Sequence, residues 1–317
     1  MGFLNRIFFA GTLVFFRPAN SAASEADILL IDCGENYTLP DSNLVNHQES
    51  NIEKLNRKYD EIFREIKNNS VDGDKIIAEL TENANLGHGG SMHTIGAIYE
   101  SGILVPIDLE KAEMWYKSAN KIGIAQSQFR LGEIYSRRGS TNSRQLAEEY
   151  YLKAAAQGYA PAKLALGRSL IKSRNSNKLN GFNYIKAAAE DGYIPAYSFL
   201  SSLYFKGEGT ERNFDLAFYW ASKAAPYDEP VAQLILGAIY DLGLGKQKDL
   251  RQAYAWYRLA QELGDKQVIE PLSEIQDMLS NEDKSLAENL VKEKLRSISS
   301  NETEFKQYIC SHGYSRW

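Results

Sequence analysis

A period runs through the middle of this chain. Gly87, Gly123, Gly158, Gly192, Asp228 and Gly264 stand 36, 35, 34, 36 and 36 residues apart. Nine residues after each marker comes a small residue, Gly96, Gly132, Gly167, Ser201 and Gly237, with Tyr99, Tyr135, Leu170, Tyr204 and Tyr240 three further on. A second set follows in each period. Ala112, Ala147, Gly181, Ala217 and Ala253 lead aromatics three residues later, at Trp115, Tyr150, Tyr184, Trp220 and Trp256, and alanines seven later, at Ala119, Ala154, Ala188, Ala224 and Ala260. Offsets of three and seven lie on one face of a helix. Each period therefore predicts two helices, neither able to bury its apolar face alone, and stacked neighbours must complete the core. In this reading the small residues let backbones approach, and the aromatics fill the space between one helix pair and the next.

Several stretches carry a family resemblance. Lys111 to Ala119 read K-A-E-M-W-Y-K-S-A, Ala125 to Tyr135 end in L-G-E-I-Y, and Gln252 to Gly264 repeat the helix of residues 111–123. Glycine loops recur at Gly207-Glu208-Gly209 and Gly243-Leu244-Gly245. Over residues 74–266 the chain resembles the Sel1-like repeat family, a relative of tetratricopeptide arrays with a longer and more variable period; a plain tetratricopeptide array would keep to 34 residues. The resemblance implies an all-α fold: a right-handed α-solenoid of about five helix-turn-helix repeats with flanking capping helices. It also implies a scaffold or adaptor that binds a partner protein through its concave surface. The third unit departs from the pattern, because its loop from Lys172 to Lys178 has no glycine.

The ends read differently. Arg6 precedes an apolar run from Ile7 to Phe16, too short to span a bilayer and of the length of a secretory signal. Ser21, Ala22 and Ala23 suit cleavage after Ala23; Arg17 leaves an uncleaved anchor as the alternative. The expected organisation is a signal peptide at 1–23, a loosely ordered segment at 24–49, a helix and partial repeat at 50–87, the array at 88–266, capping helices at 267–298 and a tail at 299–317. An exported protein, periplasmic or secreted, with no transmembrane segment after cleavage, follows from this reading. In an oxidising compartment Cys33 and Cys310 either form a disulfide or remain two free thiols. Nothing in the sequence specifies an oligomeric state.

His88 and His93 are five apart, off the spacing that puts two metal ligands on one helical face, and no nucleophile motif, phosphate loop or C-x-x-C is present. The expectation is a protein without catalytic residues, metal or cofactor. Some cysteine-rich relatives in the family act on β-lactams, so a cell-wall or β-lactam binding or hydrolysing protein is the competing class, and this chain lacks their cysteine pair per repeat.

The formal charge of −5 becomes −7 without Arg6 and Arg17, which argues against a nucleic-acid binder. Residues 130–186 oppose this trend, with eleven Lys and Arg against Glu133, Glu148 and Glu149. Arg130, Arg137, Arg138, Arg168, Lys172 and Arg174 are accordingly the candidate residues of a basic belt that docks an acidic protein partner or an anionic polymer. Solvated side chains with no ligand are the alternative.

Overall fold

The computed structural model describes residues 49–67, 72–102, 104–173, 178–227 and 229–312, giving the backbone alone for 49–52, 63–67 and 299–312. Fourteen α-helices and two short 3₁₀ turns make up the described chain, and it contains no strand. In chain order they are α1 (Glu49–Lys67), α2 (Gly73–Asn85), α3 (Gly89–Ser101), α4 (Leu109–Lys121), α5 (Ala125–Arg138), α6 (Thr141–Ala156) and α7 (Ala160–Lys172). Then come α8 (Lys178–Glu190), α9 (Ile194–Lys206), α10 (Phe214–Ala224), α11 (Pro230–Leu242), α12 (Leu250–Glu262), α13 (Ile269–Met278) and α14 (Asn281–His312). They fall into two compact units whose boundary lies within α7, at Ser169 and Leu170.

In the N-terminal unit each helix from α1 to α6 packs on the next, with the hairpins α3/α4 and α5/α6 in closest contact. In the C-terminal unit α8 to α13 do the same, and the first helices α9 and α11 also touch each other directly. This is solenoid packing within each unit, and the repeat chemistry explains it. At the ends of the second helices α4, α6, α8 and α12 a glycine takes positive φ: Gly123 (87°), Gly158 (87°), Gly192 (86°) and Gly264 (86°). The next N–H returns to the carbonyl of the seventh-position alanine: Ile124 to Ala119, Tyr159 to Ala154, Tyr193 to Ala188 and Asp265 to Ala260. Glycine admits the left-handed turn, and the paired bonds satisfy carbonyls that the helix end would leave open. Those four alanines are fully buried, so the same residue ends the helix and seats it in the core.

The inner loops of the hairpins α3/α4, α9/α10 and α11/α12 are held differently. The N–H groups of Asp108, Asn213 and Asp249 donate to the carbonyls of Tyr99, Tyr204 and Tyr240. The side chains of Asp108, Asn213 and Asp249 then cap α4, α10 and α12.

The aromatic reading needs correction. Trp115, Tyr150, Tyr184, Trp220 and Trp256 are only partly buried. The side chain that fills each hairpin is one residue later, at Tyr116, Tyr151 and Tyr257. A Cβ on Gly96 would stand 2.6 Å from Tyr116, one on Gly132 2.5 Å from Tyr151, and one on Gly237 2.4 Å from Tyr257. The first-helix glycines therefore make room for a tyrosine ring more than for a neighbouring backbone. Where Ser201 replaces glycine, the corresponding position of α10 is Ala221, and both are fully buried.

The capping helices bury only part of their apolar surface. On α13 the buried ridge is Leu272 and Ile275, extended by Val268 and Leu279, while Ile269 and Met278 are exposed. On α14 Ala287 and Val291 are buried; Leu286 and Leu295 are exposed. That helix continues past residue 298 to His312, because no glycine or proline interrupts residues 272–312. The expected signal peptide and nearly all of the segment 24–49 lie outside the described residues, as does the marker Asp228.

Candidate interaction surface

Most of the basic belt is tied down. Arg130 on α5 is almost fully buried and grips Glu100 of α3, with Nε 2.9 Å from Oε2 and a second nitrogen 2.7 Å from Oε1. The same carboxylate accepts the Tyr116 hydroxyl at 2.8 Å and lies 3.4 Å from Arg137, whose own side chain is half exposed. Arg138 pairs with Glu113 of α4 and lies 4.9 Å from the Tyr135 ring centroid. Glu113 also accepts from the Tyr135 hydroxyl and from Lys117, both at 2.7 Å. Burial by itself would push the Glu113 carboxyl up, but hydrogen bonds from Lys117, Arg138 and Tyr135 hold it down at about 2.

The belt thus meets acids that lie outside the 130–186 window, on the preceding hairpin, 30 residues upstream for Arg130, 37 for Arg137 and 25 for Arg138. Arg130 is a structural contact between neighbouring hairpins, which removes it as a docking residue. Arg168 is half-buried, near enough to Tyr151 for its charge to act on that phenol, and Lys172 is exposed on the last turn of α7. Arg174 lies outside the described residues, and so does the Cys33–Cys310 pairing.

Both histidines serve the fold. His88 precedes α3 and its Nδ1 accepts from the Ser91 N–H, leaving Nε2 to donate to Asn56 at 3.0 Å. His93 Nδ1 lies 2.9 Å from the Ser127 hydroxyl, and its ring is 5.5 Å from that of Tyr116. Burial, then the nearby Arg130 charge, lower its pKa to about 4 against the opposing effect of Glu100. It is neutral at physiological pH. No described helix is long and apolar enough to cross a membrane.

One exposed cluster went unnoticed in the sequence. Along α10, Leu216, Tyr219, Trp220 and Lys223 recur at three, four and seven residues, on the face next to the buried Ala217, Ala221 and Ala224. Leu216 and Tyr219 are exposed and Trp220 is partly covered. Tyr197 of α9 packs 5.4 Å from Trp220, and Tyr219 meets the same ring edge-on at 5.1 Å. The Lys223 ammonium lies 4.9 Å from Tyr219, 5.2 Å from Trp220 and 5.8 Å from Tyr197. The available signal was Y-W-x-x-K on a helix whose other face is alanine, but reading Trp220 as core concealed it.

The Sel1 repeat family model matches residues 90–123, 125–159, 194–225 and 230–265. These are the hairpins α3/α4, α5/α6, α9/α10 and α11/α12, so four of the five expected repeats are matched. The helices α7 and α8 form, yet their sequence has Leu170 in the tyrosine position and Gly181 in the alanine position. An uncharacterized protein of Neisseria meningitidis is 31% identical over 160 residues, covering 50% of this chain and 34% of that one. Chitin synthase regulatory factor 3 of Schizosaccharomyces pombe is 28% identical over 207 residues, covering 61% and 22%. The chain thus spans about a third or less of the length of these relatives. A crystal structure of a protective antigen of uropathogenic Escherichia coli with an SLR fold covers 76% of this chain and 52% of its own, at 23% identity and a TM-score of 0.66. That likeness establishes the fold.

Proposed function

The chain belongs to the Sel1 repeat family, whose repeats mediate protein–protein interaction, and from that premise we propose that it is a non-catalytic scaffold that holds a partner protein. The observation that carries the reading is where the polar chemistry sits. His88, His93 and Arg130, which the sequence offered as candidate ligands or docking groups, and the acids Glu100 and Glu113 are all engaged in caps and hairpin contacts. Exposed aromatic and basic side chains on the helices are what remains to meet another molecule, and aromatic residues are enriched where interfaces gain most of their energy.

In this proposal the protein is exported, with cleavage after Ala23, and works in the periplasm or outside the cell by regulating or assembling an envelope complex. The fungal relative, by its name a chitin synthase regulatory factor, supports a regulatory role over another protein. Binding relies on exposed helix and loop side chains held at fixed spacing by the repeat, so that little ordering entropy is lost on docking.

The test is covalent crosslinking of a C-terminally tagged chain in its native cell, followed by purification and mass spectrometry, with N-terminal sequencing of the recovered chain. A discrete protein partner and a mature start at Ser24 are expected. Recovery without any crosslinked protein, together with turnover of a chromogenic β-lactam by the purified chain, would overturn the scaffold reading.

A further inference from the structure

Three second helices show how an aromatic and a lysine are used at one repeat position. On α6, Lys153 lies 5.2 Å from the Tyr150 ring and is neutralised by Glu149 at 2.8 Å. On α12, Trp256 is covered instead by Lys294 of α14, 3.9 Å above its ring. On α10, Lys223 occupies the position of Lys153, but the residue equivalent to Glu149 is Tyr219. Lys223 has no carboxylate within 4 Å among the described residues, and its charge is surrounded by the rings of Tyr197, Tyr219 and Trp220. The acid of the same helix, Asp215, pairs with Lys246 at 3.1 Å. This helix therefore keeps the cation, has lost the internal acid, and has gained an exposed ring beside it.

We propose that the α10 stripe of Leu216, Tyr219, Trp220 and Lys223, backed by Tyr197, docks a peptide segment of a partner protein in which a carboxylate stands beside apolar residues. The carboxylate takes the open side of the Lys223 ammonium, and the apolar neighbours cover Leu216 and the exposed ring of Tyr219. Cation–π contacts restrict the ammonium before binding, so less side-chain freedom is lost when the ion pair forms. A peptide suits this site better than an acidic glycan. Lys223 lies over the ring faces that a sugar would stack on, whereas a carboxylate needs only the ammonium. The inference rests on the scaffold reading and names the partner's chemistry.

The probe is a fluorescein-labelled peptide of three Leu-Glu-Pro-Glu copies, titrated into the full chain at low salt and followed by anisotropy. Its twins carry Gln or Lys in place of every Glu. The acidic peptide should bind, the Gln twin should bind roughly tenfold more weakly, and the Lys twin should not bind. Lys223→Glu should weaken the acidic peptide about tenfold or more and admit the Lys twin, and Tyr219→Ala should also weaken the acidic peptide about tenfold. Lys153→Glu, at the equivalent but internally paired position, should leave binding within about twofold. All three substitutions are at exposed positions, and circular dichroism checks that each variant folds.

No acidic-peptide binding, equal binding to Lys223→Glu, or displacement of the peptide by a polygalacturonate oligomer would each overturn the proposal. Crosslinked partners that persist in the Lys223→Glu variant in cells would leave the scaffold standing and remove this surface from it. Loss of all partners from the unmodified chain would remove the scaffold itself.

Discussion

The Gly132–Tyr151 contact provides a prediction whose sign can be reversed. A Cβ at residue 132 would stand 2.5 Å from both Cδ1 and Cε1 of Tyr151 and 3.1 Å from Cζ. Carbon atoms pack comfortably at about 3.5 Å, so the ring has to shift by about 1 Å. Overpacking of this kind costs about 1–3 kcal/mol. The shift also draws the Tyr151 hydroxyl away from Glu133, now 2.6 Å distant, and a lost hydrogen bond adds about 1 kcal/mol. Against these, alanine is the better helix former by about 1 kcal/mol. Gly132→Ala should therefore destabilise the protein by about 1–3 kcal/mol. In a Tyr151→Ala background the ring is gone and only the propensity remains, so the same substitution should stabilise by up to about 1 kcal/mol. Urea unfolding followed by circular dichroism measures all four proteins. A Gly132→Ala effect of equal sign and size in both backgrounds would refute the idea that these glycines exist to admit the tyrosine. The pairing of Ser201 with Ala221 within this chain already follows the same exchange of volume.

Glu100→Ala should cost about 3–5 kcal/mol in urea unfolding, because it strands the buried Arg130 charge, whereas Glu100→Leu combined with Arg130→Leu should cost less than Glu100→Ala alone; simple additivity would contradict this. The folded pKa of His93, about 4, is below the ordinary value of 6.5, so the unfolded chain takes up its proton first. Its contribution is complete above about pH 6.5 and is lost as pH falls toward 4. Thermal melts between pH 7.5 and 4.5 should fall more steeply for the native chain than for His93→Phe; parallel slopes would count against it. Asp249→Ala removes a side chain that accepts from the N–H groups of Arg251 and Gln252 and should cost about 1 kcal/mol in the same unfolding assay.

What the amino-acid sequence determined on its own was everything with a local cause. The period, the two helices per unit, the glycine that ends most of the second helices and the alanine seven positions into the buried face follow from residue spacing and backbone sterics. The tertiary structure alone decided which of two adjacent aromatics enters the core. Trp115 and Tyr116 differ by one position, and only the place of Gly96 on the facing helix shows that Tyr116 is the one enclosed. It also decided the fate of the basic belt. A charge count over a window registers neighbours along the chain, while a solenoid brings together residues of neighbouring hairpins. Glu100 with Arg130 and Glu113 with Arg138 are pairs of that kind. Lys223 is the opposite case: its helical neighbours were visible in the sequence, but only packing against Tyr197 and the absence of a nearby acid among the described residues distinguish it from a paired lysine such as Lys153.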